Sequence, residues 1–301
     1  MADQHTIQQD SLQIPARDGY ELGANHFHNR TPRDTSPGVI IFNAATATPQ
    51  AFYFRCARFF AEQGFDVYTY DYRGIGQSAP ATLRGFDAMM HTLAEHDMPG
   101  VLDFVKARHP SQPLIAMGHS VGGQLMGMLD NGSLIDKAVT FSSQSGYWKL
   151  QGGNQKLMVL FTMYLLLPGL TRVFGYFPWK RFGGGENLPK GAALEWAKWC
   201  RSPNYLFDDK DLPHLSRYAE FKAPILAYCF ADDDWGTRRA VRSLMDHYTG
   251  TPLEYRDISP ADFGLKSIGH FGYFKRGSER LWQDTLNWIL GDSARSSPGL
   301  K

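Results

Sequence analysis

One stretch constrains this chain more than any other: Pro113-Leu114-Ile115-Ala116-Met117-Gly118-His119-Ser120-Val121-Gly122-Gly123. A short apolar run stops abruptly at G-x-S-x-G, and a helix-compatible segment, residues 124–129, follows. In that setting the pattern puts a serine at the tip of a sharp strand-to-helix turn, the geometry of a nucleophile elbow. Gly118 and Gly122 lack a Cβ, so strand and helix can approach closely. The first amides of the helix then point at charge forming near Ser120 Oγ. The competing reading is a plain β–α turn whose serine merely caps a helix.

The chain has 301 residues, 43% of them hydrophobic and 20% charged. That length is near the limit for one core, so one large domain with an insertion is expected rather than two independent domains. A formal net charge of +1, without a Lys/Arg run, provides no global field for nucleic acid or an anionic membrane. The polar start, Met1-Ala2-Asp3-Gln4-His5, lacks the apolar core of a secretory signal. Three cysteines, Cys56, Cys200 and Cys229, read as reduced thiols of a cytoplasmic protein. No Cys/His cluster has zinc spacing, so no metal is expected. The longest apolar stretch, residues 157–167, ends at Pro168-Gly169 and reads as too short to cross a bilayer. It is expected as a buried or lid helix, with no stable membrane span.

Short β-type runs alternate with helical patterns along the chain. Residues 11–15 and 22–28 flank the turn Arg17-Asp18-Gly19 and read as a hairpin. Residues 39–42, 65–70, 114–117, 138–141, 225–230 and 253–258 read as strands. Residues 52–63, 98–107, 238–248 and 279–290 read as helices. This alternation implies an α/β fold: a mostly parallel central sheet with helices on both faces. It breaks between residues 146 and 216, a stretch rich in aromatics and leucine with Gly183-Gly184-Gly185 inside it. An insertion there lies over the carboxyl ends of the strands, where such folds bind ligands. The expected division is therefore a core of residues 1–145 and 217–301, with a helical cap of residues 146–216. Pro168-Gly169 and the glycine triplet are expected to break helices and permit hinge movement.

A serine hydroxyl needs an adjacent base, and that base needs an orienting carboxylate. Two segments can bring these to the same rim of the sheet. Residues 225–230 run straight into Ala231-Asp232-Asp233-Asp234, and residues 253–258 lead to a loop with Ile268-Gly269-His270-Phe271. The order Ser…Asp…His differs from that of chymotrypsin and of subtilisin.

With Asp71-Tyr72-Arg73-Gly74-Ile75-Gly76-Gln77-Ser78, the Ser120 motif, the aspartate cluster and Gly269-His270-Phe271, the chain resembles the α/β-hydrolases over residues 10–292. It is most similar to the serine-aminopeptidase-like and monoacylglycerol-lipase-like group, and to bacterial predicted α/β-hydrolases of largely unassigned substrate. The resemblance implies Ser120 as nucleophile and His270 as base. The family pattern G-x-x-D, laid on Phe230-Ala231-Asp232-Asp233, selects Asp233 as the acid, with Asp232 and then Asp234 as alternatives. The remaining carboxylates are expected to face solvent. The oxyanion donors it implies are Val121 N–H and, where relatives carry His-Gly and this chain has Asn43-Ala44-Ala45-Thr46, Ala45 N–H, with Ala44 as alternative. His119 is implied to be structural.

The glycines of residues 71–78 make turns and not a nucleotide cradle, because neither G-x-x-x-x-G-K-[ST] nor G-x-G-x-x-G is present. No cofactor is expected. The reading is a serine hydrolase acting on a small-molecule carboxylic ester or thioester. Leu157, Leu160, Phe161, Tyr164, Phe174, Tyr176, Phe177 and Trp179 suggest an apolar or aromatic acyl group. Alternatives with the same triad are an acyltransferase or an amide hydrolase; a third is an inactive binding protein of the fold.

Overall fold

The structure, a computed structural model, describes residues 7–30 and 36–291. It is built on an eight-stranded sheet. β1 (Ile7–Pro15) and β2 (Glu21–Asn29) form an antiparallel hairpin, and β2 pairs antiparallel with β4 (Asp66–Tyr70). From there the sheet is parallel through β3 (Val39–Asn43), β5 (Leu114–His119), β6 (Lys137–Phe141), β9 (Ile225–Phe230) and β10 (Leu253–Ile258). The spatial order is β1-β2-β4-β3-β5-β6-β9-β10. Every residue of β3, β5 and β9 is buried. Helices cover both faces of these central strands, which is why their sequences are continuous apolar runs without alternation.

The helices Phe54–Glu62, Met98–Arg108, Arg238–Met245 and Glu279–Leu290 lie close to the bounds read from sequence. The segment after Ser120 does not. Its α-helix is only Val121–Gln124, and it tightens at once into a 3-10 turn, Leu125–Met128. Gly122, Gly123 and Gly127 explain the brevity: glycine disfavours helix interiors by about 1 kcal/mol each.

Between β6 and β9 lies a largely helical insertion. Its small antiparallel pair, β7 (Tyr176–Phe177) and β8 (Leu188–Pro189), precedes the helix Lys190–Arg201. Pro168-Gly169 does not end the first helix, contrary to the sequence reading. The helix runs Gln155–Phe174, 20 residues, and by length and composition could cross a membrane, which also overturns the length argument above. The physical reason is a π-helical turn, Thr162–Leu166, just before Pro168. Proline removes an N–H and collides with the carbonyl four residues back. The wider turn shifts the hydrogen-bond register and absorbs both defects. Nor is this helix a buried one: Leu157, Phe161 and Leu165 are exposed.

Candidate active site

Ser120 sits between β5 and its short helix with φ 50° and ψ −116°. A non-glycine residue at positive φ is strained, and such strain persists only where surrounding contacts enforce it. Here the Ser120 N–H donates to Phe141 O at 2.9 Å, and Ser120 O accepts from the N–H groups of Gly123 and Gln124, both at 3.0 Å. A Cβ on Gly122 would lie 2.2 Å from Asn43 O, so only glycine lets the helix start approach the end of β3 this closely. Ser120 itself is buried.

β9 and the loop after β10 bring Asp233 and His270 together. His270 Nδ1 lies 2.8 Å from Asp233 Oδ2. Asp233 is buried, and its Oδ1 accepts from the N–H groups of Trp235 (2.9 Å) and Gly236 (2.8 Å). Burial alone would raise its pKa. The His270 charge and the hydrogen bonds from His270 and Gly236 outweigh that and hold it below the ordinary carboxylate value. Among the described residues no hydrogen bond joins Ser120 Oγ to His270, a separation common before substrate tightens such a site.

The three consecutive aspartates divide their work. Asp232 is exposed, as expected, yet its carboxylate accepts from Ser267 Oγ (2.8 Å), Ile268 N–H (2.8 Å) and Gly269 N–H (3.0 Å). It therefore clamps the loop that carries His270. Asp234 meets the insertion, where its carbonyl accepts from Gly152 N–H at 2.7 Å.

His119 and Tyr53 form a relay that the sequence did not reveal. Ala45 N–H donates to Tyr53 Oη at 2.8 Å, and Tyr53 Oη lies 2.9 Å from His119 Nδ1. His119 Nε2 is 2.8 Å from the carbonyl of His270, which accepts, so Nε2 carries the proton and Tyr53 donates to Nδ1. Burial, reinforced by the nearby His270, pushes the His119 pKa down to about 3 and keeps the ring neutral. The backbone donor expected of Ala45 is thus engaged by Tyr53 and not free. Val121 N–H, first of its helix, has no intrahelical acceptor. Tyr53 left no trace in the sequence because it falls in an aromatic run that reads as a helix's core face.

One small cavity borders Val121, the residue after the serine. It measures about 20 Å³ and is lined by Thr46, Ala47, Met89, Val121, Leu188 and Ala192, among others, which is room for about one water. The insertion closes over this region. Glu186 N–H donates to Ala47 O at 2.7 Å, and a Cβ on Gly185 would lie 2.1 Å from that carbonyl. A file of indoles, Trp179, Trp196 and Trp235, leads from the insertion to His270, with centroid spacings of 5.7, 6.1 and 6.4 Å. Of the apolar residues expected to face an acyl group, Leu157, Phe161 and Tyr164 instead face solvent.

The glycine loop of residues 71–78 is a latch. Asp71 accepts from Gln50 N–H (2.7 Å) and Gln77 N–H (2.9 Å), and the Arg73 guanidinium is spent on Asp97 and Asp18. Among the described residues one cluster has metal-type ligands: His26, Asp66 and His109, with ligand atoms within 4.8 Å of one another. It lies at the start of β4, the opposite end of the sheet from Ser120, and is knitted by His26–Asp66 (2.8 Å) and His109–Tyr68 (2.9 Å) hydrogen bonds.

Residues 36–169 match the serine aminopeptidase S33 family. An esterase of Pyrococcus furiosus superposes with a TM-score of 0.62 at 14% identity, over 95% of this chain and 91% of that one. The chain has the α/β-hydrolase fold. A carboxyl esterase of Bacillus coagulans (TM-score 0.60, 15% identity, 94% of this chain and 98% of that one) has the same fold. So does an esterase of Exiguobacterium antarcticum (0.59, 15%, 93% and 99%). No curated protein matches the sequence.

Proposed function

We propose that this protein is an α/β-hydrolase, a cofactor-independent serine hydrolase that cleaves a carboxylic ester or thioester of an apolar acyl group. One observation carries the reading: a serine held at φ 50° on an elbow whose His119 is bonded to the carbonyl of His270, a histidine whose own Nδ1 is bonded to a buried carboxylate. Ser120 Oγ attacks the carbonyl carbon as His270 Nε2 takes its proton. Asp233 keeps the other proton on Nδ1 and balances the imidazolium charge. Val121 N–H meets the oxyanion. Ala45 N–H joins it by turning from Tyr53, or by sharing its proton. His270 then protonates the departing alcohol or thiol, and water repeats the sequence on the acyl-enzyme.

The indole file and the apolar lining beside Val121 support an acyl or aromatic group. The insertion acts as a cap over Ser120, as its Leu188, Pro189 and Ala192 beside Val121 support, and it or its side chains shift to admit substrate. The test is a series of p-nitrophenyl esters of increasing chain length, assayed with the wild type and Ser120→Ala. Loss of the nucleophile lowers turnover on the order of a million-fold. Near wild-type turnover by Ser120→Ala overturns the reading.

A further inference from the structure

The net charge of +1 averages out a local asymmetry. Residues 146–185 contain five basic side chains, Lys149, Lys156, Arg172, Lys180 and Arg181, and no Asp or Glu. The same stretch holds seven of the nine exposed large hydrophobic side chains among the described residues, so these form a patch and are not scattered singles.

The patch is centred on the helix Gln155–Phe174. Val159, Met163 and Leu167 form its buried inner face, which packs towards the helix Lys190–Arg201. Leu157 (61% exposed), Phe161 (55%) and Leu165 (63%) recur four residues apart on its outer face, with Met158 beside them. A helix apolar on both faces calls for an apolar medium on both. The protein provides that medium on one side only. Because the inner face is committed to the protein's own packing, the helix cannot thread a bilayer, but it can lie along one.

Charge decides what covers the outer face. Among the described residues Lys149, Lys156, Arg172 and Arg181 form no ion pair, while Lys180 is neutralised by Glu186 at 2.6 Å. Lys156 and Arg172 lie on the helix itself, and Arg181 stacks on Phe174 at its end. A second copy docked face to face would set these cations against their own kind. An anionic bilayer offers acyl chains to the leucines and phosphates to the cations at once. We propose that the helix Gln155–Phe174 is an interfacial docking element that seats this protein on anionic phospholipid surfaces.

Co-sedimentation of the full chain with vesicles tests this, using phosphatidylcholine alone or mixed with phosphatidylglycerol. The reading does not depend on turnover, so it stands or falls separately from the role of Ser120. Expected is binding to the mixed vesicles, weak binding to phosphatidylcholine, and a decline with added salt. Met158→Glu with Leu165→Glu, both exposed positions, lowers partitioning about a hundred-fold or more. Lys156→Glu with Arg172→Glu lowers it roughly twenty-five-fold or more on the mixed vesicles only. Circular dichroism and Tm matching the wild type show that both variants are folded. The proposal is overturned if the wild type stays in the supernatant with mixed vesicles, or if the Met158/Leu165 variant binds as tightly as the wild type. It is equally overturned if light scattering finds a dimer that the same variant dissociates, which would assign the face to a second copy.

Discussion

Asp233→Asn separates charge from shape at the proposed catalytic acid. Asp233 Oδ1 accepts two backbone N–H groups, from Trp235 and Gly236, and Oδ2 faces His270 Nδ1. In the asparagine variant the amide oxygen must stay where two donors converge, because placing NH₂ there would strand both. The amide nitrogen is therefore forced towards His270 and donates to Nδ1. That fixes the imidazole with its proton on Nε2, the atom that should receive the Ser120 proton. The fold keeps both backbone hydrogen bonds, so Tm should move little. Turnover should fall about ten-thousand-fold, the cost of a wrong tautomer in a well-studied triad. That corresponds to about 5.5 kcal/mol on the barrier. Initial rates on a soluble p-nitrophenyl ester, with thermal unfolding in parallel, give both quantities. Activity within about ten-fold of wild type, with the fold intact, would refute the tautomer argument and move the acid elsewhere.

Other expectations follow from the same geometry. Asp232→Asn, read by ester turnover and Tm, should cost on the order of 1 kcal/mol of stability and about ten-fold in rate by loosening the loop of residues 267–269; a loss as deep as that of Asp233→Asn would contradict the division of roles. Tyr53→Phe strands Ala45 N–H and His119 Nδ1 in a buried site, so urea unfolding should show a loss of about 1–3 kcal/mol, and no loss would mean that the relay is idle. His119 has a folded pKa of about 3 against 6.5 for the free group, so below pH 6.5 the unfolded chain binds a proton that the folded one refuses. Stability is then full above pH 6.5 and falls as pH drops, by up to about 1.4 kcal/mol per unit from this residue. Denaturant midpoints of wild type and His119→Asn should converge on acidification, and parallel curves would rule out a buried neutral imidazole.

Much of the frame was legible because strand signals here are local. Residues 225–230 and 253–258 are bounded by turns and a proline, and the strands match those limits. The elbow was legible for the same reason, since its glycines and serine are adjacent in the chain. What escaped depended on contacts between distant residues or on hydrogen-bond register. Pro168 reads as a stop, and only the π turn at Thr162–Leu166 lets the helix pass it. The exposure of Leu157 and Leu165 was hidden because an apolar run does not say which side faces the protein. Asp232 holds a loop more than thirty residues away, and Ala45 meets Tyr53 through a backbone N–H that no side-chain pattern encodes.

The central claim is that Ser120 is a nucleophile activated by His270. A fluorophosphonate probe tests it most directly, with the modified residue located by peptide mass spectrometry. The account predicts one covalent adduct per chain, on Ser120, absent from Ser120→Ala and strongly slowed in His270→Ala. No adduct on folded wild-type protein, or an adduct on another serine that survives Ser120→Ala, would contradict it.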